Sequence, residues 1–227
     1  MARRPRRDAP SSGPEPASRP LPPRWAVAIT LLVIAIVVAA GVVVGRTVQP
    51  QPRGALAGCK TATELAPHLY GKAPAMCIDR NKSYNATITT TKGDIKVTLL
   101  TKQMPDTVNN FVVLAVNGFY DGQSFFGVRD WVVQAGDPTG TGNQGPGYAL
   151  APKPNAQGEQ WQPGSLGMAR LPDGNLSGSQ FFITRTSWQG GNPSLSYNHF
   201  ATVTSGFDVA TQLGGSDRIL RVTVTES

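Results

Sequence analysis

The chain has 227 residues, 40% hydrophobic and 15% charged, with 25 Gly, 19 Pro, two Cys and a formal net charge of +7. Low charge content, abundant turn formers and scarce Cys exclude a coiled coil, a collagen and a disulfide-dense mini-protein. The +7 would suggest nucleic acid if it lay on the folded part, but residues 60–227 balance 13 Lys or Arg against 12 Asp or Glu.

Most of the excess is N-terminal. Residues 1–24 carry six Arg against Asp8 and Glu15, and are rich in Pro, Ser and Ala. Such a segment buries too little apolar surface to offset its ordering entropy, so a disordered basic tail is expected. Residues 25–45 then read as one transmembrane helix. Trp25 stands at the interface, and 26–45 contain no charge and one polar side chain, Thr30. At about 1.5 Å per residue that run spans about 30 Å, the hydrocarbon thickness. The Arg cluster before it predicts a cytoplasmic N-terminus and an extracytoplasmic remainder in the cell membrane. The run is longer than a signal-peptide core and no A-x-A site follows, which favours a retained anchor. Gly41 and Gly45 form a single GxxxG pair.

Residues 46–83 form a linker that holds both cysteines, Cys59 and Cys77. Two Cys in an exported segment suggest a disulfide that closes a short loop. Leu56-Ala57-Gly58-Cys59 also has the form of a lipoprotein processing box, so lipidation of Cys59 stands as an alternative. Two His and two Cys in the whole chain argue against a Cys/His zinc cage, and no metal is expected.

The domain 84–227 begins with Tyr84–Thr91 and Asp94–Leu100, alternating runs around Lys92-Gly93 that read as a β-hairpin. Pro105 opens a helix over 105–117, whose Val108, Phe111, Val112 and Ala115 form one apolar face before Gly118. Trp131-Val132-Val133 reads as a short strand, 138–164 as loop and Phe181–Thr184 as a strand. Phe207–Leu213 reads as a second helix and Ile219–Thr225 as a last strand. Many short strands with two helices predict a mainly β domain, a barrel with helices over its ends.

Some motifs do not carry the chemistry they suggest. Gly140-Thr141-Gly142-Asn143-Gln144-Gly145 fits G-x-G-x-x-G, but Pro146-Gly147-Tyr148 follows in place of the helix that a dinucleotide site needs. There is no Walker Lys-Ser/Thr and no G-x-S-x-G elbow. His199 has no nucleophile at a known spacing.

Three stretches together resemble the cyclophilin family of peptidyl-prolyl isomerases. The first is Gly93-Asp94-Ile95-Lys96-Val97 with Pro105–Phe111 and Gly118-Phe119-Tyr120-Asp121-Gly122. The second runs from Val132-Val133-Gln134-Ala135-Gly136-Asp137 to Gly145-Pro146-Gly147-Tyr148. The third is Gly167-Met168-Ala169 followed by Gly178-Ser179-Gln180-Phe181-Phe182-Ile183. The tail, anchor and linker resemble those of membrane-anchored, exported actinobacterial members. The resemblance implies a closed eight-stranded barrel capped by two helices, no cofactor, and a groove for proline-containing segments of proteins.

It also implies residue roles. Trp131 and Val132 fall where the family lines its proline pocket, and Gln134 where it binds substrate. Ala169 matches a groove residue, with Arg170 in place of the usual Asn after it. Gln180, Phe182, Leu195 and His199 match further substrate-binding positions, and Trp188 lies near a Trp of some eukaryotic members. Trp131 and Phe182 are also open to a reading as plain barrel core.

The family's catalytic Arg is the departure, because one residue is missing before Trp131. That position becomes Gly127 aligned from the left, or Phe126 counted back from Gln134. Arg129 is the one nearby Arg, five residues before Gln134, and is the candidate for the role. The leading expectation is isomerisation of X-Pro bonds in exported proteins. The alternatives are a proline-peptide-binding module of little or no activity and a structural surface protein. Oligomeric state, clients and cyclosporin-like ligands are left open.

Overall fold

The structure is a computed structural model that describes residues 56–61, 64–153, 161–188 and 197–227. The expected basic tail and transmembrane helix, the start of the expected linker, and Leu195 lie outside the described residues. Among the described residues, no helix is long and apolar enough to cross a membrane.

A short 3-10 turn, Ala57–Thr61, comes first, followed by strands β1 (Tyr84–Thr90) and β2 (Gly93–Leu99). Helix α1 (Pro105–Val116) leads to β3 (Phe126–Arg129), β4 (Val132–Ala135) and the two-residue β5 (Ala149–Leu150). Then come β6 (Ser165–Arg170), β7 (Leu176–Thr184), β8 (His199–Ser205), α2 (Phe207–Gln212) and β9 (Ile219–Glu226).

The expected hairpin forms, with Tyr84 opposite Leu99 and Thr90 opposite Gly93. Both predicted helices form within a residue or so of their expected ends. The strand expected at 131–133 is shifted: it runs from Val132 to Ala135, and Trp131 lies in the turn before it. Strand β6, the first half of β7 and the first three residues of β8 have no clear alternation because both of their faces are covered.

The strands form one antiparallel sheet in the order β3-β4-β7-β6-β8-β2-β1-β9, with β5 beside β7. This corrects the closed eight-stranded barrel to a nine-stranded curled sheet. The segments beside its two end strands approach each other at one place, through the Ser124–Arg218 bridge, with the Ile219 N–H donating to Gln123 O and the Gly122 N–H donating to Ile219 O. A left-handed Gly127, φ 56°, then bends β3 out of register with its neighbour.

Phe111 of α1 is the hub of the core, with ring centroids 5.2 Å from Tyr120, 5.9 Å from Phe181 and 5.1 Å from Phe200. The helix buries more than the one predicted face: Val113 and Leu114 are covered as well. The cover is the segment that carries Cys59 and Cys77, which are joined by a disulfide. Asn side chains of α1 and its C-cap tie that segment down as a backbone would. Asn109 Oδ1 accepts the Cys77 and Ile78 N–H groups, Asn109 Nδ2 donates to Ala75 O, and Asn117 Nδ2 donates to Cys59 O.

Candidate functional site: a groove across five strands

Directly paired residues of antiparallel strands point to the same face. The registers place Phe126, Gln134, Phe182, Gly167 and His199 in one row across β3, β4, β7, β6 and β8. Alternation sends Phe181 and Ile183 into the core and leaves Gln180, Phe182 and Thr184 on the row's face. A set of residues scattered over seventy-odd positions of sequence thus becomes one groove.

One end of the groove is polar. Gln134 Nε2 donates to Gln180 Oε1 at 2.9 Å. Gln180 is buried, and its Nε2 donates to the carbonyls of Gly142 at 3.0 Å and Gln144 at 2.8 Å. This fixes the glycine-rich loop as a groove wall. Buried Asp137 organises the same loop, accepting from the Thr139 N–H, the Thr139 hydroxyl and the Gln144 N–H. Burial alone would raise its pKa, but these hydrogen bonds outweigh burial and hold it below the usual carboxylate value. Gly136 lets the loop leave β4: its φ is 94°, and a Cβ there would lie 2.2 Å from Ser179 O. The G-x-G-x-x-G spacing therefore serves a turn, and no helix follows it.

The other end is apolar and aromatic. Val132, Trp161, Ala169 and Phe182 form a cluster separate from the core, with Trp188 and Tyr197 against it. Tyr197 meets Phe182 edge-on at 5.2 Å. Trp161 stacks on Phe182 at 5.6 Å and lies tilted against His199 at 4.7 Å. Trp161, Tyr197 and Asp137 were missed as site residues from sequence. Trp161 falls within the stretch read as loop, and no local pattern marks it.

The expected residues are distributed as follows. Gln134, Val132, Ala169, Gln180, Phe182 and His199 come together. Trp131 does not line the buried cluster: it is 44% exposed and meets Trp188 edge-on at 5.3 Å. Its position in the turn before β4, rather than within the strand, is the reason. Arg170 ends β6 as an exposed side chain.

Arg129 is exposed, and its Nη1 donates to Val128 O at 3.1 Å, folding back onto its own strand. Among the described residues, it makes no hydrogen bond to Gln134 or Gln180. The two other candidate positions carry no cation. Phe126 is the ladder partner of Gln134, and its ring packs toward Gly142. A Cβ on Gly127 would lie 3.2 Å from Gln134 Cβ and 3.3 Å from Oε1, so position 127 is aimed at the groove glutamine.

The disulfide lies in the segment over α1, on other residues than these, and engages the Cys59 sulfur that a thioether-linked lipid would need. Among the described residues, no cluster of His, Cys, Asp and Glu could hold a metal ion.

Residues 85–225 match the family model described as cyclophilin type peptidyl-prolyl cis-trans isomerase/CLD. A probable peptidyl-prolyl cis-trans isomerase A of Mycobacterium leprae is 41% identical over 130 residues, 50% of this chain and 69% of that protein. The peptidyl-prolyl cis-trans isomerase ppi1 of Schizosaccharomyces pombe is 37% identical over 136 residues, 57% of this chain and 84% of that one. Among solved structures, a Cryptosporidium parvum cyclophilin type isomerase superposes with a TM-score of 0.53 at 26% identity, covering 64% of this chain and 99% of that one. With its curled sheet, two helices and groove, the chain belongs to the cyclophilin-type peptidyl-prolyl cis-trans isomerases.

Proposed function

We propose that the groove grips X-Pro segments of exported proteins and isomerises them slowly, without an arginine at the prolyl nitrogen. The observation that carries this reading is the single row joining Gln134, Phe182 and His199, with Gln180 holding Gln134 in place. The barrier, about 18–20 kcal/mol, comes from amide resonance. A planar amide separates more charge than a twisted one, so apolar walls favour the twisted bond over the planar one. The aromatic end of the groove supplies such walls, and Gln134 is placed to hold the peptide backbone beside them. A hydrogen-bond donor at the prolyl nitrogen would weaken conjugation further, and neither Gly127 nor Phe126 supplies one. In this reading Arg129 has no part in the reaction.

The run over 25–45 and the Arg cluster before it support an anchored domain outside the cytoplasm, where it would assist folding. Carbonate extraction and protease accessibility of intact cells test that placement: release by carbonate, or a protected domain, rejects it.

The test of function is isomerisation of an Ala-Ala-Pro-Phe peptide by exchange NMR, with binding read in the same samples. The expected result is measurable catalysis that falls about tenfold in Gln134→Ala and is unchanged in Arg129→Ala. Loss of activity in Arg129→Ala would return that residue to the mechanism. A second reading, a proline-peptide-binding module, is favoured by the missing guanidinium. It predicts binding by the wild type with no rate enhancement.

A further inference from the structure

Strand β7 leaves its register beside the polar end of the groove. Met168 of β6 faces Phe181, but Arg170, two residues on, faces Leu176, five residues back. On the other side, β4 pairs only from Phe181 onward and β5 only up to Ser177. Gly178, Ser179 and Gln180 therefore form a bulge between two paired stretches. Buried backbone groups that a bulge takes off the ladder must be bonded in another way. Gln180 is the last residue of the bulge, so the bulge, not the ladder, sets where its side chain starts.

Side chains take over the missing bonds. Ser177 is 2% exposed, and its Oγ accepts the Gln180 N–H at 2.9 Å and the Ser179 N–H at 3.2 Å. Ser179 Oγ donates to Gly136 O at 2.6 Å, and Asn110 Nδ2 of α1 donates to Gly178 O at 2.7 Å. Of these three side chains, Ser177 is the one that bonds the Gln180 backbone. The Gln180 carboxamide is then fully engaged: Nε2 donates to Gly142 O and Gln144 O, and Oε1 accepts from Gln134. Hydrogen bonds weaken steeply off their preferred angles, so a small shift of the Gln180 backbone disturbs all three together.

We propose that Ser177 is a positioning residue of the groove: its hydroxyl fixes the Gln180 backbone, and Gln180 fixes Gln134 for the X-Pro segment. This rests on the groove reading given above. Ser177 is buried and acts only through Gln180. A glutamine already held in place loses less freedom when peptide binds, so the effect falls on affinity.

The experiment is a double-mutant cycle on the full chain. The dissociation constant of Ala-Ala-Pro-Phe, by NMR titration, and stability in denaturant are measured for wild type, Ser177→Ala, Gln180→Ala and the pair. Ser177→Ala is expected to weaken binding roughly three- to tenfold in the wild type and to change nothing once position 180 is Ala, because the path is then cut. Its loss of stability persists in both backgrounds, since the Ser179 and Gln180 N–H groups lose their acceptor either way. Ser177→Thr keeps the acceptor and is expected to bind as the wild type does. Where Ser177→Ala does not fold, Ser177→Cys takes its place, with a side chain of similar size and a weak acceptor. An equal loss of affinity in both backgrounds, or none in either, overturns the role of Ser177 and leaves the groove reading standing. Absence of peptide binding in the folded wild type overturns the groove reading itself, and this inference with it.

Discussion

Strand β7 serves two regions at once. Phe181 and Ile183 enter a core whose rings interlock through Phe111, Tyr120 and Phe200. Gln180 and Phe182 face the groove instead: Gln180 bonds Gln134 at its polar end, and Phe182 belongs to the small cluster with Trp161. Both sets are buried, yet they are buried by different things. The core side is covered by a helix and other strands, which cannot leave without unfolding. The groove side is covered by the Trp161 indole and by a glycine-rich loop held through side-chain hydrogen bonds. Burial alone thus does not separate scaffold from site; what does the burying separates them.

Five variants probe that contrast. Phe181→Ala should cost about 3–5 kcal/mol in denaturant melts, as a large cavity in a core that cannot collapse. Phe182→Ala should cost about 2 kcal/mol, because Trp161 can fall into the gap, while peptide binding is lost. Equal losses of stability would erase the distinction between the two faces.

Reduction of Cys59–Cys77, or Cys59→Ser with Cys77→Ser, should lower stability by about 3 kcal/mol for a crosslink of separation 18, and leave peptide affinity unchanged. A change in affinity would show that the segment over α1 and the groove are coupled.

Asp137→Asn should cost about 1–3 kcal/mol at pH 7, with loosening of the loop that Gln180 holds. The folded Asp137 has a depressed pKa, because hydrogen bonds outweigh burial. Its contribution is therefore complete above the unfolded value, about pH 4, and fades as pH falls through the lower folded value. The gap between wild type and variant should be constant from pH 5 to 8 and close in acid. A gap that persists in acid would assign the effect to packing.

The smallest effect is expected at the surface. Asp106 pairs with Arg80 at 3.1 Å and with Lys153, all about half exposed. Asp106→Ala should cost at most about 1 kcal/mol, less at high salt.

Much of the fold was legible where one side of an element faces water. The hairpin at 84–99 alternates, and α1 shows its 3.6-residue period. Strand β6 and the start of β8 were not, because both of their faces are hidden and leave no alternation to read. The polar half of the groove, Gln134 and Gln180, was reached through the resemblance, since each Gln has meaning only beside the other. Trp161 and Gly167 were beyond reach for the same reason: the fit of an indole over a missing Cβ exists only once β6 and β7 are paired. Trp131 in the turn before β4 and Arg129 folded onto Val128 are local paths that a sequence does not state.

The pairing of β1 with β9 has a consequence for the order of assembly. Tyr84 and Glu226 are 142 residues apart, and their strands run in register over most of their length. Closing so long a loop is entropically slow, whereas β1–β2 needs only a two-residue turn. In pulse-labelled hydrogen exchange during refolding, the β1 amides that face β2 should gain protection early and those that face β9 late. The domain would then pass through a stage with one edge of its first strand open, the point at which it is most exposed to mispairing.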